Sequence, residues 1–193
     1  MLDMTPESAV GYAWLAWAVS WGLAAFWSQR AEKRPGLGSE ALYRVVVVIG
    51  VLMLFGVGAR YYPDSPKLWA ASGAVGWALA GAAALGFLFC WWARLHLGRL
   101  WSGWVTKTAD HRIVDTGPYR LVRHPIYTGV LTAAFSTAIM KGTAAALAGA
   151  AVMTVGFWIK ARLEERFLGQ ELGAEAYAAY RARVPMLIPF GPK

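Results

Sequence analysis

Five apolar runs, at residues 8–27, 41–59, 68–93, 126–140 and 143–159, dominate the chain, and Arg44 is the one charge inside them. Polar connections rich in arginine, glycine and proline separate them. The first three runs are long enough to cross a hydrocarbon layer of ~30 Å at ~1.5 Å per helical residue. The last two, on either side of Lys141-Gly142, are marginal for separate crossings. They predict a short helical hairpin packed against the longer helices, with two tilted, bilayer-thinning spans as the alternative. From Phe157 to Tyr180 the pattern stays helical while it grows steadily more polar, and Pro185 and Pro189 end it. The fold expected is all-α: an integral membrane helical bundle of about five transmembrane helices with a cytoplasmic C-terminal helical region. A three-helix part, 1–93, would join a core, 94–193, in one structural unit.

Composition strengthens the membrane reading. Hydrophobic residues make up 58% of the 193 residues and charged residues only 16%, with eleven tryptophans. The net charge of +8 invites a nucleic-acid partner, but its distribution argues against one. With five crossings, 16 of the 19 basic residues fall on one face: around the first connection (Arg30, Lys33, Arg34, Arg44), in the third (Arg94 to Arg123) and in the tail. Only Arg60, Lys67 and Lys141 lie on the other. That asymmetry sets the N-terminus outside and the C-terminus in the cytoplasm, and assigns the cations to orientation and anionic lipid.

Other features narrow the class further. No basic residue precedes the long first run, so it is expected to remain as a helix and not to be cleaved as a signal peptide. Tyr61, Tyr62 and Trp69 are expected near the headgroups. Gly73, Gly76, Gly81 and Gly86 predict close helix packing, and no glycine-rich dinucleotide loop follows a predicted strand. Cys90 is alone and reads as packing. His96, His111 and His124 share no metal-ligand spacing, so no metal site is expected.

The densest chemistry lies in Gly117-Pro-Tyr-Arg-Leu-Val-Arg-His-Pro-Ile-Tyr-Thr-Gly129. Gly117-Pro118 reads as a turn, and Pro125 suits the first position of a helix. His124, before that proline, is biased to an extended backbone at the helix mouth. A helix start attracts anions and would have Arg123 and His124 beside it. Ionisable groups are costly at a lipid boundary, so this cluster predicts a ligand site.

The pattern Gly117-x-Tyr119-x-x-x-Arg123-His124-Pro125-x-Tyr127-x-Gly129, followed by Glu164-Glu165-x-x-Leu168 and Tyr177-x-x-Tyr180-x-x-x-Val184-Pro185, resembles the isoprenylcysteine carboxyl methyltransferase family. That wider group includes phospholipid N-methyltransferases and bacterial members, and the likeness covers roughly residues 85–190. It implies S-adenosylmethionine as methyl donor, S-adenosylhomocysteine as product, and a cytoplasmic-side pocket, here in a bacterial inner membrane. By motif position the pocket would use His111, Arg112, Ile113, Val114, Tyr119, His124, Pro125, Ile126, Tyr127 and Glu164. Arg123 would be a counter-charge for the donor's carboxylate at the helix mouth. The tyrosines can offer ring faces and hydroxyls to adenosine, with Ile113 and Val114 as an apolar wall. The acceptor would be a small lipophilic molecule or lipid entering from the bilayer.

Each assignment has a plainer rival. The tyrosines can be interfacial anchors, Arg112 and Arg120 orientation charges, and Glu164 a helical partner of Lys160 worth only ~0.3–0.5 kcal/mol. Where the isoprenylcysteine enzymes carry an arginine facing the acceptor's carboxylate, one turn before Glu164, this chain has Lys160. Arg162 is about 200° around the helix and does not replace it. Lysine is a point charge without arginine's two-pronged fit, which weakens the case for a carboxylate acceptor. Lys160 and Glu164 are the residues expected to act on the acceptor. A phospholipid amine N-methyltransferase, or a non-enzymatic lipid-binding protein with a vestigial pocket, remains an alternative.

Overall fold

In a computed structural model, which describes residues 4–27, 37–57, 66–101, 113–172 and 174–192, the chain is helical. Seven α-helices follow in order among these residues: α1 Pro6–Ala24, α2 Leu37–Phe55, α3 Gly73–Leu97, α4 Pro118–Leu121, α5 Pro125–Lys141, α6 Ala144–Leu172 and α7 Ala174–Arg183. Each of the five apolar runs seeds one of the longer helices.

The ends are set by local chemistry. Thr5 and Ser8 form a reciprocal capping box ahead of Pro6 at the start of α1. The Ser72 hydroxyl accepts the Val75 N–H at the start of α3. Gly142 closes α5 with φ +64, and a side chain there would strike the carbonyl of Trp69. Thr143 then opens α6 immediately, so α5 and α6 do form the hairpin expected around Lys141-Gly142.

Beyond that hairpin the fifth run joins the helical pattern expected from Phe157 onward. α6 continues without a break through 29 residues, about 43 Å at the usual rise. The run 143–159 is only its apolar half. The other half carries Lys160, Glu164 and Glu165, so one rigid rod leads from apolar surroundings to the charged cluster.

Close packing rests on small residues. α2 and α6 run antiparallel with Gly50, Gly149 and Gly156 between them; a Cβ at Gly149 would lie 2.5 Å from the Leu54 nitrogen, and one at Gly156 2.6 Å from Val47 Cγ2. α3 and α5 touch through Gly86 and Gly129. Of the four α3 glycines, Gly76 and Gly86 sit at such contacts, whereas Gly73 and Gly81 face open space. Cys90 is buried and donates to the Ile126 carbonyl at 3.2 Å, a packing role. The core is shared by Leu54, Cys90, Val130, Ala134, Ala146 and Met153, from four different helices. Trp14, Trp17 and Trp21 of α1 interlock with Phe87, Trp91 and Trp101.

The outward faces are apolar: Leu15, Val19 and Leu23 on α1, Val45, Val48 and Leu52 on α2, Leu85, Leu88 and Leu95 on α3, and Val155 and Trp158 on α6 are exposed. Two helical stretches, Gly73–Leu97 and Ala144–Gln170, are long and apolar enough to cross a membrane.

Candidate active site

The corner between α4 and α5 has the turn and the two helix starts its sequence predicts. Gly117 adopts φ +57, and a Cβ there would lie 2.7 Å from the His96 ring, so glycine is required on both counts. Pro118 opens α4 and Pro125 opens α5, whereas His124 between them, at φ −124 and ψ 64, departs from the extended backbone expected before a proline. The C-terminal strap runs along this helix mouth. The Arg123 and His124 N–H groups donate to the carbonyls of Pro185 (2.9 Å) and Met186 (3.1 Å), and the Thr128 hydroxyl donates to that of Leu187 (2.6 Å).

Against the corner lies the polar half of α6. Arg123 Nε donates to Glu165 Oε1 at 2.8 Å, and its Nη1 donates to the carbonyls of Val184 (2.6 Å) and Arg181 (3.0 Å). The guanidinium therefore caps the carbonyl end of α7 while pairing with α6. The counter-charge expected of Arg123 for a ligand's carboxylate is thus directed at the protein's own groups. His124 stands between two carboxylates, with Nδ1 3.4 Å from Glu164 Oε2 and Nε2 3.2 Å from Glu165 Oε1. Burial alone would lower its pKa; hydrogen bonds and charge from Glu164 and Glu165 outweigh burial and raise it above the usual 6.5.

A third layer is aromatic. The Tyr127 hydroxyl donates to Glu164 Oε1 at 2.6 Å, and its ring stacks on His124 (5.3 Å) and Phe157 (5.0 Å). Lys160 Nζ lies 3.9 Å from Glu164 Oε1 and 5.1 Å from the Tyr127 ring centre. The plain helical pair of Lys160 and Glu164 is therefore present, but within a larger assembly. Arg162 points elsewhere, over the exposed Trp158 ring at 5.2 Å, on a groove of about 510 Å³ lined also by Ile159, Leu163 and Arg166.

Of the residues singled out in the sequence, the structure brings together Arg123, His124, Pro125, Tyr127, Lys160 and Glu164. Tyr119 is buried close by, its carbonyl accepting the Tyr180 hydroxyl at 2.7 Å. Ile113 packs on the Tyr177–Tyr180–Val184 cluster, Val114 is half-buried, and Ile126 packs into the main core. His111 and Arg112 lie outside the described residues. Arg120 is exposed. The sequence reading gives Glu165 no role of its own, although its place beside Glu164 in the same motif was the available signal. Tyr43 of α2 was missed altogether: its ring centre is 5.5 Å from Lys160 Nζ, and no motif in the N-terminal half marks it.

Residues 79–170 match the sequence model described as the isoprenylcysteine carboxyl methyltransferase (ICMT) family. Methanethiol S-methyltransferase 2 of Bradyrhizobium diazoefficiens is 33% identical over 153 residues, 74% of this chain and 58% of that protein. Protein-S-isoprenylcysteine O-methyltransferase B of Arabidopsis thaliana is 33% identical over 87 residues, 45% of this chain and 44% of that one. The solved structure of the eukaryotic intramembrane Ras methyltransferase ICMT superposes with a TM-score of 0.53 at 21% identity, covering 78% of this chain and 53% of that one, a likeness of fold. The chain thus spans roughly half the length of the proteins it matches.

Proposed function

We propose that this chain, whose residues 79–170 match the isoprenylcysteine carboxyl methyltransferase family model, is a membrane-embedded methyltransferase of that family that uses S-adenosylmethionine to methylate a small lipophilic acceptor. The observation that carries the reading is the meeting of the Arg123-His124-Pro125 corner with Glu164 and Glu165 of α6. The exposed apolar faces and the two long apolar helices support embedding in lipid, with α1, α2, α3, α5 and α6 as five crossings. The distribution of basic residues supports an inner-membrane arrangement with the N-terminus outside and the site on the cytoplasmic side.

The donor set fits the cofactor. Glu165 Oε2 is buried without a hydrogen-bond donor, although Arg181 Nε is within ion-pair range at 3.4 Å. A second carboxylate, Glu164, lies alongside, and the rings of Tyr127 and Tyr119 are close. Carboxylates suit an ammonium or ribose hydroxyls, and tyrosine rings suit an adenine face. His124, Tyr127 and Glu164 would hold the cofactor, with Ile113 and Val114 as an apolar side. When bound, S-adenosylmethionine would supply a methyl carbon on a positively charged sulfur for transfer to the acceptor atom, with S-adenosylhomocysteine as the leaving group.

The chain's own contribution is alignment. Glu164 is held by three groups, the Tyr127 hydroxyl, His124 and Lys160, so it does not need to reorganise when ligands arrive. The Lys160 ammonium favours an acceptor that has lost its proton to solvent and attacks as an anion. A thiol fits best among acceptors: Lys160 replaces the arginine suited to a carboxylate, and the relatives include enzymes named for methanethiol. The test is thermal denaturation of the purified chain with S-adenosylmethionine and S-adenosylhomocysteine. Both should raise the midpoint with concentration, and no shift with either would overturn the reading.

A further inference from the structure

α2 and α6 keep one antiparallel register over four helical layers. Leu54 lies against Gly149, Gly50 against Met153, and Val47 against Gly156. One turn further on, the same register sets Tyr43 opposite Lys160, and their groups face each other at 5.5 Å. The lower layers are closed by glycine, where the backbones nearly touch. At the Tyr43–Lys160 layer, one turn before Glu164, both partners are large, so side chains and not glycines fill the seam.

The side chains of this layer are held in place. The Lys160 ammonium lies against two ring faces, Tyr43 at 5.5 Å and Tyr127 at 5.1 Å, with Glu164 Oε1 at 3.9 Å. Tyr43 is only 4% exposed. Its hydroxyl accepts Arg44 Nε at 3.3 Å, and Arg44 is paired in turn with the buried Glu40 one turn earlier. One oxygen of Glu40 is buried with no hydrogen-bond partner, so this end of α2 holds unsatisfied polar capacity one turn from Tyr43. On its outer side the seam is bordered by the exposed Val45, Val48 and Val155.

We propose that Tyr43 is a specificity-determining residue, forming with Lys160 the wall of the acceptor's berth between α2 and α6 and limiting the length of its alkyl group. The inference rests on the methyltransferase reading above and adds to it a residue from outside the family-matched segment. Tyr43 acts in two ways. Its ring holds the Lys160 ammonium toward Glu164, and its bulk fills the space a longer chain would occupy. Donor binding lies on the other side of Glu164, toward His124, and should not depend on it.

The experiment uses the full chain in lipid nanodiscs, as wild type and as Tyr43→Phe, Tyr43→Leu and Tyr43→Met. S-Adenosylhomocysteine affinity, read by thermal shift, identifies the variants that keep the site; if the leucine variant loses it, the methionine variant takes its place. Rates with labelled donor are then compared for methanethiol, 1-propanethiol and 1-hexanethiol. The leucine variant should shift the hexanethiol-to-methanethiol ratio of kcat/KM at least ~10-fold toward the longer thiol, the scale of methylene discrimination in an apolar pocket. Tyr43→Phe should keep the wild-type ratio. An unchanged ratio with donor affinity intact would overturn the proposal.

If the wild type methylates no thiol, the acceptor reading fails, and a second measurement decides on Tyr43 alone. Acylation of Lys160 by acetic anhydride, followed by peptide mass, should be several-fold faster in Tyr43→Leu than in wild type or Tyr43→Phe. Equal rates would show that the ring does not cover the ammonium.

Discussion

Arg123 and Glu165, 42 positions apart, form an ion pair of 2.8 Å whose side chains are 3% and 2% exposed. The pair joins three parts of the chain: the corner before α5, the polar half of α6, and the end of α7 through the carbonyls of Arg181 and Val184. A buried pair of this kind adds little stability over a well-packed apolar replacement, because both charges lose their hydration. What it gives is one defined arrangement, in which Glu165 also faces His124.

Removing one partner should therefore be far worse than removing both. Arg123→Met leaves Glu165 buried with less compensation and should destabilise the protein by about 3–5 kcal/mol. The double variant Arg123→Met/Glu165→Leu should recover part of that loss. Thermal denaturation in detergent of the two single variants and the double variant measures this coupling. Additive losses would mean that the pair does not act as a unit.

Much of this was legible in the sequence, for identifiable reasons. Apolar periodicity located all five long helices, and the two prolines and Gly117 fixed the corner, because these residues restrict the backbone locally. The adjacency of His124 and Glu164 came from the motif resemblance, since no local rule links residues 40 positions apart. The direction of Arg123 was not legible, because a guanidinium beside a helix mouth serves a ligand or the end of another helix equally well. Tyr43 was not legible either. Its place follows from the register of α2 on α6, set by Gly50, Gly149 and Gly156, and only the packed structure shows which residues that register brings face to face.

Donor binding should respond to single changes in a graded way. His124→Ala and Glu164→Ala should abolish S-adenosylhomocysteine binding with the helical content unchanged, and Arg120→Ala should be mild. Tyr127→Phe keeps the stack on His124 but loses the 2.6 Å bond to Glu164, and affinity should fall by about 10-fold, the lower range for a hydrogen bond to a charged group. Lys160→Ala should reduce acceptor turnover more than donor affinity. Calorimetric titration of the five variants reads these differences, and equal affinity across them would contradict the site.

Stability should fall as the solution becomes alkaline. Glu164 and Glu165 of α6 raise the His124 pKa above 6.5, with Tyr127, Arg123, Lys160 and Arg181 completing the charged and titratable surroundings of the cluster. Below pH 6.5 the folded and unfolded states both hold the proton, so the stabilisation is fully present. As the pH rises through the folded value, the native state loses a proton that the unfolded chain has already released, and the contribution disappears. The denaturation midpoint of the ligand-free protein should drop between pH 6.5 and the folded pKa of His124. In His124→Gln that drop should be absent.

The C-terminal strap should be as necessary to the site as the corner it covers. The carbonyls of Val184, Pro185, Met186 and Leu187 accept from the Arg123 guanidinium, the Arg123 and His124 N–H groups and the Thr128 hydroxyl. Arg123 and His124 are buried, so cutting the chain after Arg183 would orphan donors that water reaches poorly, at about 1–3 kcal/mol each. Cutting between Ile188 and Pro189 leaves every one of these acceptors in place and removes the almost fully exposed Phe190. The longer truncation should lose S-adenosylhomocysteine binding and several degrees of thermal stability, whereas the shorter one should keep both. Thermal shift on the two truncated chains, with and without S-adenosylhomocysteine, makes the comparison. If the chain cut after Arg183 bound the ligand as the full chain does, the strap would not be what holds His124 in place.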